Sequence, residues 1–536
     1  MVIESLKPKS PIPDVTVYQF LFKDNHRIVD RNKPCYIDAE DSTKSISFAD
    51  FENLILRFAA GLKFNFPDFA LGDVVAMYSP SDIYFPAVAH GSIVAGGAFA
   101  AIDHSCNSEL AADCLQTVRA KIVIAHAETL TRAKEAAKFV GIPIENIFVL
   151  GEEDIDGTLS VHNAMWNHNH LAVPVQLTKE QLSTIPCYFY YTSGTTGKKK
   201  AVATTQSNMI SWLSSIPEWY PTETLFLSHT EPYHGSALIF AMHLHILHSY
   251  TTYILTKFTF ERYLQAIQTN KVNIISMQPW MAAVISKEVS IVSQYDLSSV
   301  KFAHCSGSPV SKNLCSLFYG RFRISIVNMY GMTETMLPFI NDSELSKEGH
   351  VGTLSPNFTC KLINDEGNEV GYDEVGELCI KEPTQKLGYY NNTKANGESF
   401  DEDGYFHTGD LFQVNEKGAF THIDRINDVI KYKYKKIAPQ EVEVVLMTHP
   451  LVVGAAVVGA LSEEEGVYLI RAFVVLKKHD RHMEQVKQEI IDITKSQLPD
   501  FKQIRGGLYV LDDLPKNNTG KINRLVLRQY NVNDLK

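Results

Sequence analysis

Amphipathic helices alternate with short apolar strands in the first part of this 536-residue chain. The segment FADFENLILRFAAGL, residues 48–62, has apolar side chains at helical spacing, whereas GDVVAMY at 72–78 and AKIVIAH at 120–126 are largely apolar runs of strand length. Strands that alternate with helices usually pair in parallel, with helices covering both faces of the sheet. The pattern therefore predicts an α/β fold built on a largely parallel, helix-flanked sheet.

The composition changes near residues 424–440, where the charged stretch DRINDVIKYKYKKIAPQ leads into another helix. Because 536 residues exceed one ordinary core, at least two domains are expected. We place a large N-terminal domain of helix-flanked sheets at residues 1–426 and a small α+β domain at residues 427–536. In the small domain the pattern predicts strands at 451–460, 468–476 and 506–511 and a helix at 484–497.

Charge and cysteine content narrow the classes of function. The formal net charge of −11 leaves no excess of basic residues to neutralise a phosphate backbone, which argues against a nucleic-acid partner. The eight cysteines form no CxxC pair, the N-terminus has no apolar run and the last residues are not the peroxisomal SKL signal. We therefore expect a reduced, cytoplasmic protein, and nothing in the sequence implies an oligomeric state.

One uncharged stretch, YFPAVAHGSIVAGGAFAAI at residues 84–102, approaches the length of a membrane span. Pro86, Gly96 and Gly97 interrupt it. These breaks favour a buried helix that turns into a strand over a transmembrane helix. We expect no transmembrane span here.

The segment YYTSGTTGKKKAV, residues 190–202, lies between an aromatic strand and a helix that begins near residue 207. Loops of this kind bind phosphates, because glycine lets backbone N–H groups approach and side-chain hydroxyls and lysines add donors and charge. The Walker pattern does not match, since Thr192 stands at its first glycine position and Lys199 follows Lys198 where Ser or Thr is required. The alternative is that the lysines form a solvent-exposed charge run.

This loop resembles the phosphate loop YTSGTTGxPKGV of the AMP-forming acyl-CoA synthetases, also called the adenylate-forming superfamily. The resemblance covers nearly the whole chain. The superfamily includes coumarate and fatty acyl-CoA ligases and luciferases. Further motifs follow in the family's order: MYGMTET at 329–335, GHVGTL at 349–354, VGELCI at 375–380, YFHTGD at 405–410, DRINDVIKYK at 424–433 and LPKNNTGK at 514–521. Any one motif is weak, but the ordered set is specific.

The resemblance implies two half-reactions. A carboxylate first attacks the α-phosphate of ATP, which gives an acyl-AMP and pyrophosphate, and the thiol of coenzyme A then takes the acyl group. Chemistry of this kind depends on positioning and charge neutralisation. The substrates are thus ATP, CoA and a small-molecule carboxylic acid, Mg²⁺ is the implied metal, and the small C-terminal domain is expected to be mobile.

The resemblance also assigns roles to individual residues. The residues expected to bind the phosphates of ATP are Thr192, Ser193, Gly194, Thr195, Thr196, Gly197 and Lys200. The adenine contacts are assigned to Gly307, Ser308, Pro309 and Tyr330. Asp410 is expected to accept both ribose hydroxyls, and Arg425 to contact the ribose or a phosphate. The catalytic set is Lys521, Glu334, Thr333 and His234, of which Glu334 is also the Mg²⁺ ligand and His234 lines the acyl pocket.

Each of these assignments has a plainer alternative. Glu334 can be a solvent-facing carboxylate, while Tyr330 and His234 can be ordinary core side chains. Lys431 and Lys433, in the IKYK segment of the hairpin that approaches the pantetheine channel, are also assigned to cofactor binding by the resemblance. Lys431 matches a lysine that luciferases use in their second step. Many non-luminous ligases share that lysine, so it does not predict light emission.

Some positions depart from the family pattern. Lys198 and Lys199 replace a small or apolar residue and proline, and Ala201 replaces glycine, so the loop is more charged and less pre-bent. Tyr434 replaces a glycine on the hairpin near the pantetheine channel, which predicts obstruction of thiol access. Asn427, at the hinge position, tolerates the backbone angles that domain rotation requires.

Two classes of function stay open at this point. The first is an ATP-dependent carboxylate–CoA ligase, with variants that pass the acyl group to another acceptor or oxidise it as luciferases do. The second is a non-catalytic protein that binds a nucleotide or an acyl group, which the altered loop and Tyr434 would suit. Carboxylate-dependent exchange of pyrophosphate into ATP separates the two classes.

Overall fold

A computed structural model describes residues 1–530, with the exceptions of Val29, His168, 194–198, Trp219, Pro309, Gln385, 433–434, 463–466 and 518–519. The side chains of Ser193 and Val289 also lie outside this description. Several predicted site residues therefore lie outside the described residues: Gly194, Thr195, Thr196, Gly197, Lys198, Pro309, Lys433 and Tyr434.

The first of three large sheets is mostly parallel. Its strands, in spatial order, are Ile147–Val149, Ala120–Ala125, Val74–Tyr78, Ala98–Ile102, Pro186–Ser193 and Lys199–Thr205. Only the last pair is antiparallel. Every residue of Val74–Tyr78 and Ala98–Ile102 is buried, as expected for central strands covered on both faces.

The uncharged stretch at 84–102 forms the helix Phe85–Val94 and then the strand Ala98–Ile102. The prediction of a helix that turns into a strand is confirmed. A side chain at Gly97 would lie 2.5 Å from the ring of Phe69, so the turn needs glycine there. Within the described residues, no helix has both the length and the apolar character needed to cross a membrane.

The second sheet is also mostly parallel. Its order is Ser325–Met329, Phe302–Ser306, Ile274–Met277, Leu225–Ser228, Thr251–Ile254, Pro34–Asp38 and Ser45–Ser47, and only the last pair is antiparallel. The two parallel sheets confirm the α/β prediction.

The third sheet is antiparallel throughout. Its order is Val2–Glu4, Thr359–Ile363, Gly376–Lys381, Phe406–Val414, Ala419–Arg425, Gly352–Leu354 and Phe339–Ile340. The helix–strand alternation that predicted parallel sheets is absent from this part of the chain, and the N-terminal strand pairs with residues more than 350 positions away. This sheet carries the HTGD motif in one strand and its partner Arg425 in the next.

Helices cover the first two sheets. The longest, Phe48–Asn65, begins because Ser47 accepts a hydrogen bond from the N–H of Asp50, and it buries Phe51, Ile55, Phe58 and Leu62 on one face. Burial of each such side chain contributes about 2 kcal/mol. The other helices of this part are Gln19–Lys23, Ser108–Val118, Leu130–Val140, Ile144–Asn146, His162–Trp166, Lys179–Thr184, Gln206–Ser215, Gly235–Ile239, Phe240–Leu244, His245–Leu247, Phe260–Asn270, Pro279–Lys287, Val289–Val292, Lys312–Phe322, Ser343–Lys347 and Thr393–Ser399.

The C-terminal segment folds around its own core. A hairpin of Ile430–Tyr432 and Lys435–Ile437 precedes a three-stranded sheet of Val452–Ser462, Val467–Leu476 and Leu508–Val510. The helices are Pro439–Leu446, Met483–Gln497, Asp500–Lys502 and Arg524–Arg528. Val442, Val457, Val474 and Ile490 pack in a cluster separate from the N-terminal cores. The predicted strands and helix of this segment are confirmed.

Candidate active site

A cleft of about 1410 Å³ lies between the sheets of the large N-terminal part and the C-terminal segment. It is lined by most of the described residues to which the sequence assigned roles: Thr192, Lys200, His234, Gly307, Ser308, Tyr330, Thr333, Glu334, Asp410, Arg425 and Lys521. Lys431 is not in this lining and lies exposed in the strand Ile430–Tyr432. Sequence positions more than 300 residues apart therefore meet at one site.

Asp410 lies in the third sheet, where it is directly paired with Arg425 of the neighbouring strand. Its side chain is 4% exposed, and Arg425 Nε lies 3.1 Å from Oδ1. Tyr330 donates its phenolic hydrogen to Oδ2 at 2.7 Å. Burial opposes ionisation of Asp410, but the nearby His422 and the charge of Arg425 outweigh it and hold the pKa below its usual range. Asp410 is thus a carboxylate at neutral pH.

The two oxygens of Asp410 are not equally satisfied. Among the described residues, Oδ1 accepts no well-oriented hydrogen bond, although Arg425 lies close to it. A buried carboxylate oxygen without such a bond favours a ligand that donates one. Adjacent sugar hydroxyls are donors of this kind.

Tyr330 was predicted to stack on adenine opposite Gly307, Ser308 and Pro309. In the structure its ring packs edge-on against Phe412, with centroids 4.9 Å apart, while its hydroxyl bonds Asp410. Gly307 and Ser308 are exposed at the wall of the same cleft. The structure adds a contact of Tyr330 with the carboxylate that sequence reasoning did not predict.

A network of Glu377, Cys379 and His407 lies beside Asp410. The ligand-type atoms of these residues are all within 4.8 Å of one another, which is close enough for a metal. The carboxylate of Glu377 is already used, because Oε1 accepts from the Gly409 N–H at 3.0 Å and Oε2 lies 3.1 Å from His407 Nδ1. The network therefore holds the backbone that immediately precedes Asp410.

Glu334 is held by a tyrosine that sequence reasoning missed. Tyr389 donates its hydroxyl hydrogen to Glu334 Oε1 at 2.8 Å. Burial and the neighbouring carboxylate raise the pKa of Tyr389, so it remains a donor at neutral pH. The Nζ atom of Lys200 lies over the Tyr389 ring, 4.7 Å from its centroid. A carboxylate and a lysine thus face the cleft on either side of one tyrosine.

The position of Tyr389 follows from tertiary pairing. Its segment lies along the strand Lys199–Thr205, where the N–H of Ala203 donates to the carbonyl of Gly388 at 2.9 Å and that of Tyr390 to Ala201 at 2.8 Å. In the same strand Lys200 lies opposite Thr192. No periodicity in the sequence around 387–390 would have indicated this contact.

Lys521 enters the cleft from the C-terminal segment. Its loop is closed by Asn517, whose Oδ1 accepts from the Lys521 N–H at 2.9 Å. Gly520 has a φ of +77°, a backbone conformation that favours glycine, and it packs against the side-chain amide of Gln278 in the large domain. Burial and the charge of Arg425 lower the pKa of Lys521, while Asp410 and Glu334 act in the opposite direction.

His234 caps the helix Gly235–Ile239. Its Nδ1 accepts from the Ser236 N–H at 3.2 Å and lies 2.8 Å from Ser236 Oγ. Burial, and then the charge of Lys521, lower its pKa to about 4, so the ring is neutral at pH 7. Thr333 lies near this helix, with Oγ1 4.0 Å from where a Gly235 side chain would begin. Apolar side chains line the adjoining wall of the cleft: Ile239, Phe240, Met336 and Leu337.

The α/β architecture and the cleft between a large and a small domain define the fold class of adenylate-forming enzymes. The family model for AMP-binding enzymes matches residues 26–390, and the model for the AMP-binding enzyme C-terminal domain matches residues 441–521. The chain belongs to the AMP-binding enzyme family. The prediction of an AMP-forming acyl-CoA ligase is confirmed.

Relatives align over nearly the full length. A probable 4-coumarate–CoA ligase 3 of Dictyostelium discoideum is 30% identical, with 98% of this chain and 96% of that protein covered. A phenylacetyl-CoA ligase of Aspergillus niger is also 30% identical, covering 92% of this chain and 93% of the relative. The fold is similar to that of the anthranilate CoA ligase AuaEII in complex with anthranoyl-AMP, with a TM-score of 0.84, 21% identity and coverage of 96% and 97%.

Proposed function

We propose that this ligase activates an apolar, aromatic monocarboxylic acid to its acyl-AMP with Mg²⁺-ATP, and then transfers the acyl group to coenzyme A. The supporting observation is the convergence of Lys200, Glu334, Asp410 and Lys521 on one cleft. A cytoplasmic location and the absence of a nucleic-acid partner stay predictions.

In the proposed adenylation step a carboxylate oxygen of the acid attacks the α-phosphorus of ATP. The bond between that phosphorus and the bridging oxygen breaks, and pyrophosphate leaves with the bonding electrons. Lys521 places a positive charge beside the oxygens where negative charge accumulates, while Lys200 faces the leaving pyrophosphate. Asp410 holds the ribose and fixes the nucleotide for in-line attack.

Glu334 is the proposed Mg²⁺ ligand. An ionised carboxylate is a hard oxygen ligand of the kind Mg²⁺ prefers, and Tyr389 orients one of its oxygens while the side chain faces the cleft. When bound, Mg²⁺ neutralises charge on the phosphate oxygens. The residues present fit this metal.

The character of the acid follows from the wall next to His234. A neutral His234 offers no positive charge for a second carboxylate, and Ile239, Phe240, Met336 and Leu337 offer apolar contacts. Relatives named for 4-coumarate and phenylacetyl substrates favour an acid with an aromatic ring.

In the second proposed step the CoA thiolate attacks the acyl carbon of the acyl-AMP, and AMP leaves with its phosphate oxygen.

We also propose that residues 427–536 move as a unit between the two steps. The family matches leave residues 391–440 between two modules, and the C-terminal segment has its own core. Lys431, exposed away from the cleft, would enter only after such a movement. The predicted obstruction by Tyr434 lies outside the described residues and remains a prediction.

Half-reaction assays test the proposal. Lys521→Ala is expected to lower acid-dependent pyrophosphate exchange about 10²- to 10³-fold and to spare thioester formation from supplied acyl-AMP. Lys431→Ala is expected to do the reverse, and Lys179→Ala, at an exposed helix position, serves as the control. The acids to compare are benzoate, phenylacetate, 4-coumarate and octanoate, each with and without CoA. Equal losses in both half-reactions for Lys521→Ala would contradict the assignment.

A further inference from the structure

We propose that Lys199 is a positioning residue whose partly buried ion pair with Asp103 fixes the end of the phosphate loop, residues 192–200, for ATP binding. The inference rests on the proposed role of that loop. It concerns the lysine that stands where related loops have proline, and it separates the work of Lys199 from that of Lys200.

The ammonium group of Lys199 is held by neighbouring side chains. Its Nζ lies 3.2 Å from Asp103 Oδ2 and 3.1 Å from Cys106 Sγ, and its side chain is 22% exposed. Burial opposes the charge, but the neighbouring Cys106 and Asp103 raise the pKa of Lys199, so the ammonium form is maintained. The alternative of a solvent-exposed run of lysines does not describe this residue.

The side chain of Asp103 is held in place by hydrogen bonds within its own turn. It follows the buried strand Ala98–Ile102, and its Oδ1 accepts from the N–H and the hydroxyl of Ser105 at 2.9 and 2.6 Å. The same turn is held from outside, because Arg132 donates to the carbonyl of Cys106 at 2.8 Å. The carboxylate is therefore fixed before ATP binds.

The ion pair acts at the point where the phosphate loop rejoins the sheet. Lys199 is the first residue of its strand and pairs across the ladder with Ser193, the last residue of the preceding strand. Hydrogen bonds of the ladder hold the two ends together, and the ion pair ties that joint to the turn after a third strand, Ala98–Ile102. A proline would stiffen this position through its ring. Here an ion pair supplies the constraint.

The charge arrangement assigns different tasks to consecutive lysines. Both lysines and Asp103 line the cleft, but the charge of Lys199 is balanced by Asp103, whereas the ammonium group of Lys200 lies over Tyr389 beside Glu334. Adjacent residues of a strand point to opposite faces, and the two ammonium groups accordingly have different partners. Lys200 is thus left to contact phosphate, and Lys199 orients the loop.

The test compares Lys199→Met, Asp103→Asn and the double variant by pyrophosphate exchange and by calorimetric titration with ATP. Each single change is expected to raise the KM and Kd for ATP about tenfold or more, with a smaller change in kcat. The double variant is expected to bind ATP no more weakly than the single variant that has the lower affinity, because both changes break the same constraint. Asparagine can still accept from Ser105, so the turn is retained.

A direct phosphate contact by Lys199 makes the opposite prediction. In that case Asp103→Asn would release Lys199 and leave the ATP affinity unchanged or tighter, which would overturn the inference. Lys200→Met should weaken ATP binding whatever residue stands at 103. Lys179→Met, which removes an exposed pair with Asp14, is the matched control and should change nothing.

The outcomes for the two proposals are distinguishable. If the wild-type protein showed no pyrophosphate exchange, the proposed function would fail, but titration with ATP would still test the ion pair. If exchange is normal and Asp103→Asn binds ATP like the wild type, only the inference fails. Equal melting temperatures of the variants establish that a loss of ATP affinity is not a loss of folded protein.

Discussion

At the scale of single residues, Asp410 combines burial with strong charge compensation. Arg425, His422 and Tyr330 surround it, and one of its oxygens is left for a ligand. Removing the charge of a hydrogen-bonded carboxylate costs about 1.5–3 kcal/mol per bond to a charged group. The residue therefore offers a direct measure of ribose binding.

We expect Asp410→Asn to lower kcat/KM for ATP by about 10- to 100-fold, which corresponds to that range of energy. The ratio of kcat/KM for ATP to that for 2′-deoxy-ATP should fall towards one, because the amide accepts fewer hydroxyl bonds. Tyr330→Phe, which removes only the internal donor to Oδ2, is the control and should keep the discrimination. A variant that still prefers ATP as strongly as the wild type would exclude the ribose assignment.

Glu377 lies behind Asp410, next to the proposed ribose site. Its carboxylate accepts from the N–H of Gly409, the residue before Asp410, and lies beside His407. We expect Glu377→Gln, which keeps an acceptor, to have a small effect and Glu377→Ala to raise KM for ATP with little change in melting temperature. Steady-state exchange kinetics with thermal unfolding check this. Loss of stability without a change in KM would make Glu377 merely structural.

At the scale of elements, the helical stretch 235–247 and its neighbours contain an unusual set of buried histidines. Burial lowers the pKa to about 4 for His90 and His248, to about 3 for His304, and well below the usual value for His243 and His245. Partners hold some in place, as where His243 Nδ1 lies 2.7 Å from the carbonyl of Leu238. These rings are neutral in the folded protein.

The pH dependence of stability follows from these shifts. An unfolded histidine titrates near pH 6.5, so between about pH 6.5 and 4 the unfolded state binds more protons than the folded state. Stability is therefore fully present above about pH 6.5 and is lost as pH falls, by about 1.4 kcal/mol per pH unit for each buried ring. Denaturant unfolding at pH 7.5, 6.0 and 5.0 measures this slope.

His245→Phe is the matched variant for that experiment. Neither ring nitrogen of His245 has a hydrogen-bond partner among the described residues, and its ring packs against Tyr36 with centroids 4.6 Å apart. We expect the substitution to reduce the dependence of the unfolding free energy on pH by the contribution of one buried histidine, about 1.4 kcal/mol per pH unit. His170→Gln, at an exposed position, should leave it unchanged. An unaltered slope in His245→Phe would mean that this ring is not a source of acid sensitivity.

Elements were predicted well where their pattern was local. The helix at 48–62 and the strands at 72–78 and 120–126 appear as Phe48–Asn65, Val74–Tyr78 and Ala120–Ala125. The antiparallel third sheet was not predicted, because its pairing joins segments as distant as Val2–Glu4 and Thr359–Ile363. Hydrophobic periodicity reports burial, but it carries no information on which strand will be the neighbour.

At the scale of the whole molecule, one helix of the large domain makes several contacts with the small domain. Lys287, at the end of Pro279–Lys287, donates to the carbonyl of Met447 at 2.9 Å and to that of Val452. At the other end Lys516 lies over the Trp280 ring, 5.0 Å from its centroid, and Gly520 packs on Gln278. These contacts hold the arrangement in which Lys521 reaches the cleft.

We expect Lys287→Met to slow acyl-AMP formation several-fold and to leave thioester formation from supplied acyl-AMP equal to or faster than in the wild type, because only the first arrangement loses its contact. Single-turnover rates of the two half-reactions measure this split. Lys301→Met, at an exposed position of the same domain, is the control. An equal slowing of both steps would show that Lys287 stabilises the fold and not one arrangement.

The sequence by itself determined the α/β class, the separate C-terminal module and the family, because local periodicity and short motifs are properties of neighbouring residues. Only the tertiary structure decided that Tyr389 orients Glu334, that Tyr330 bonds Asp410 and that Lys199 pairs with Asp103. Each of these contacts joins residues 55 or more positions apart. Their geometry arises when the strands are packed together, and the order of residues along the chain does not encode it in any local pattern.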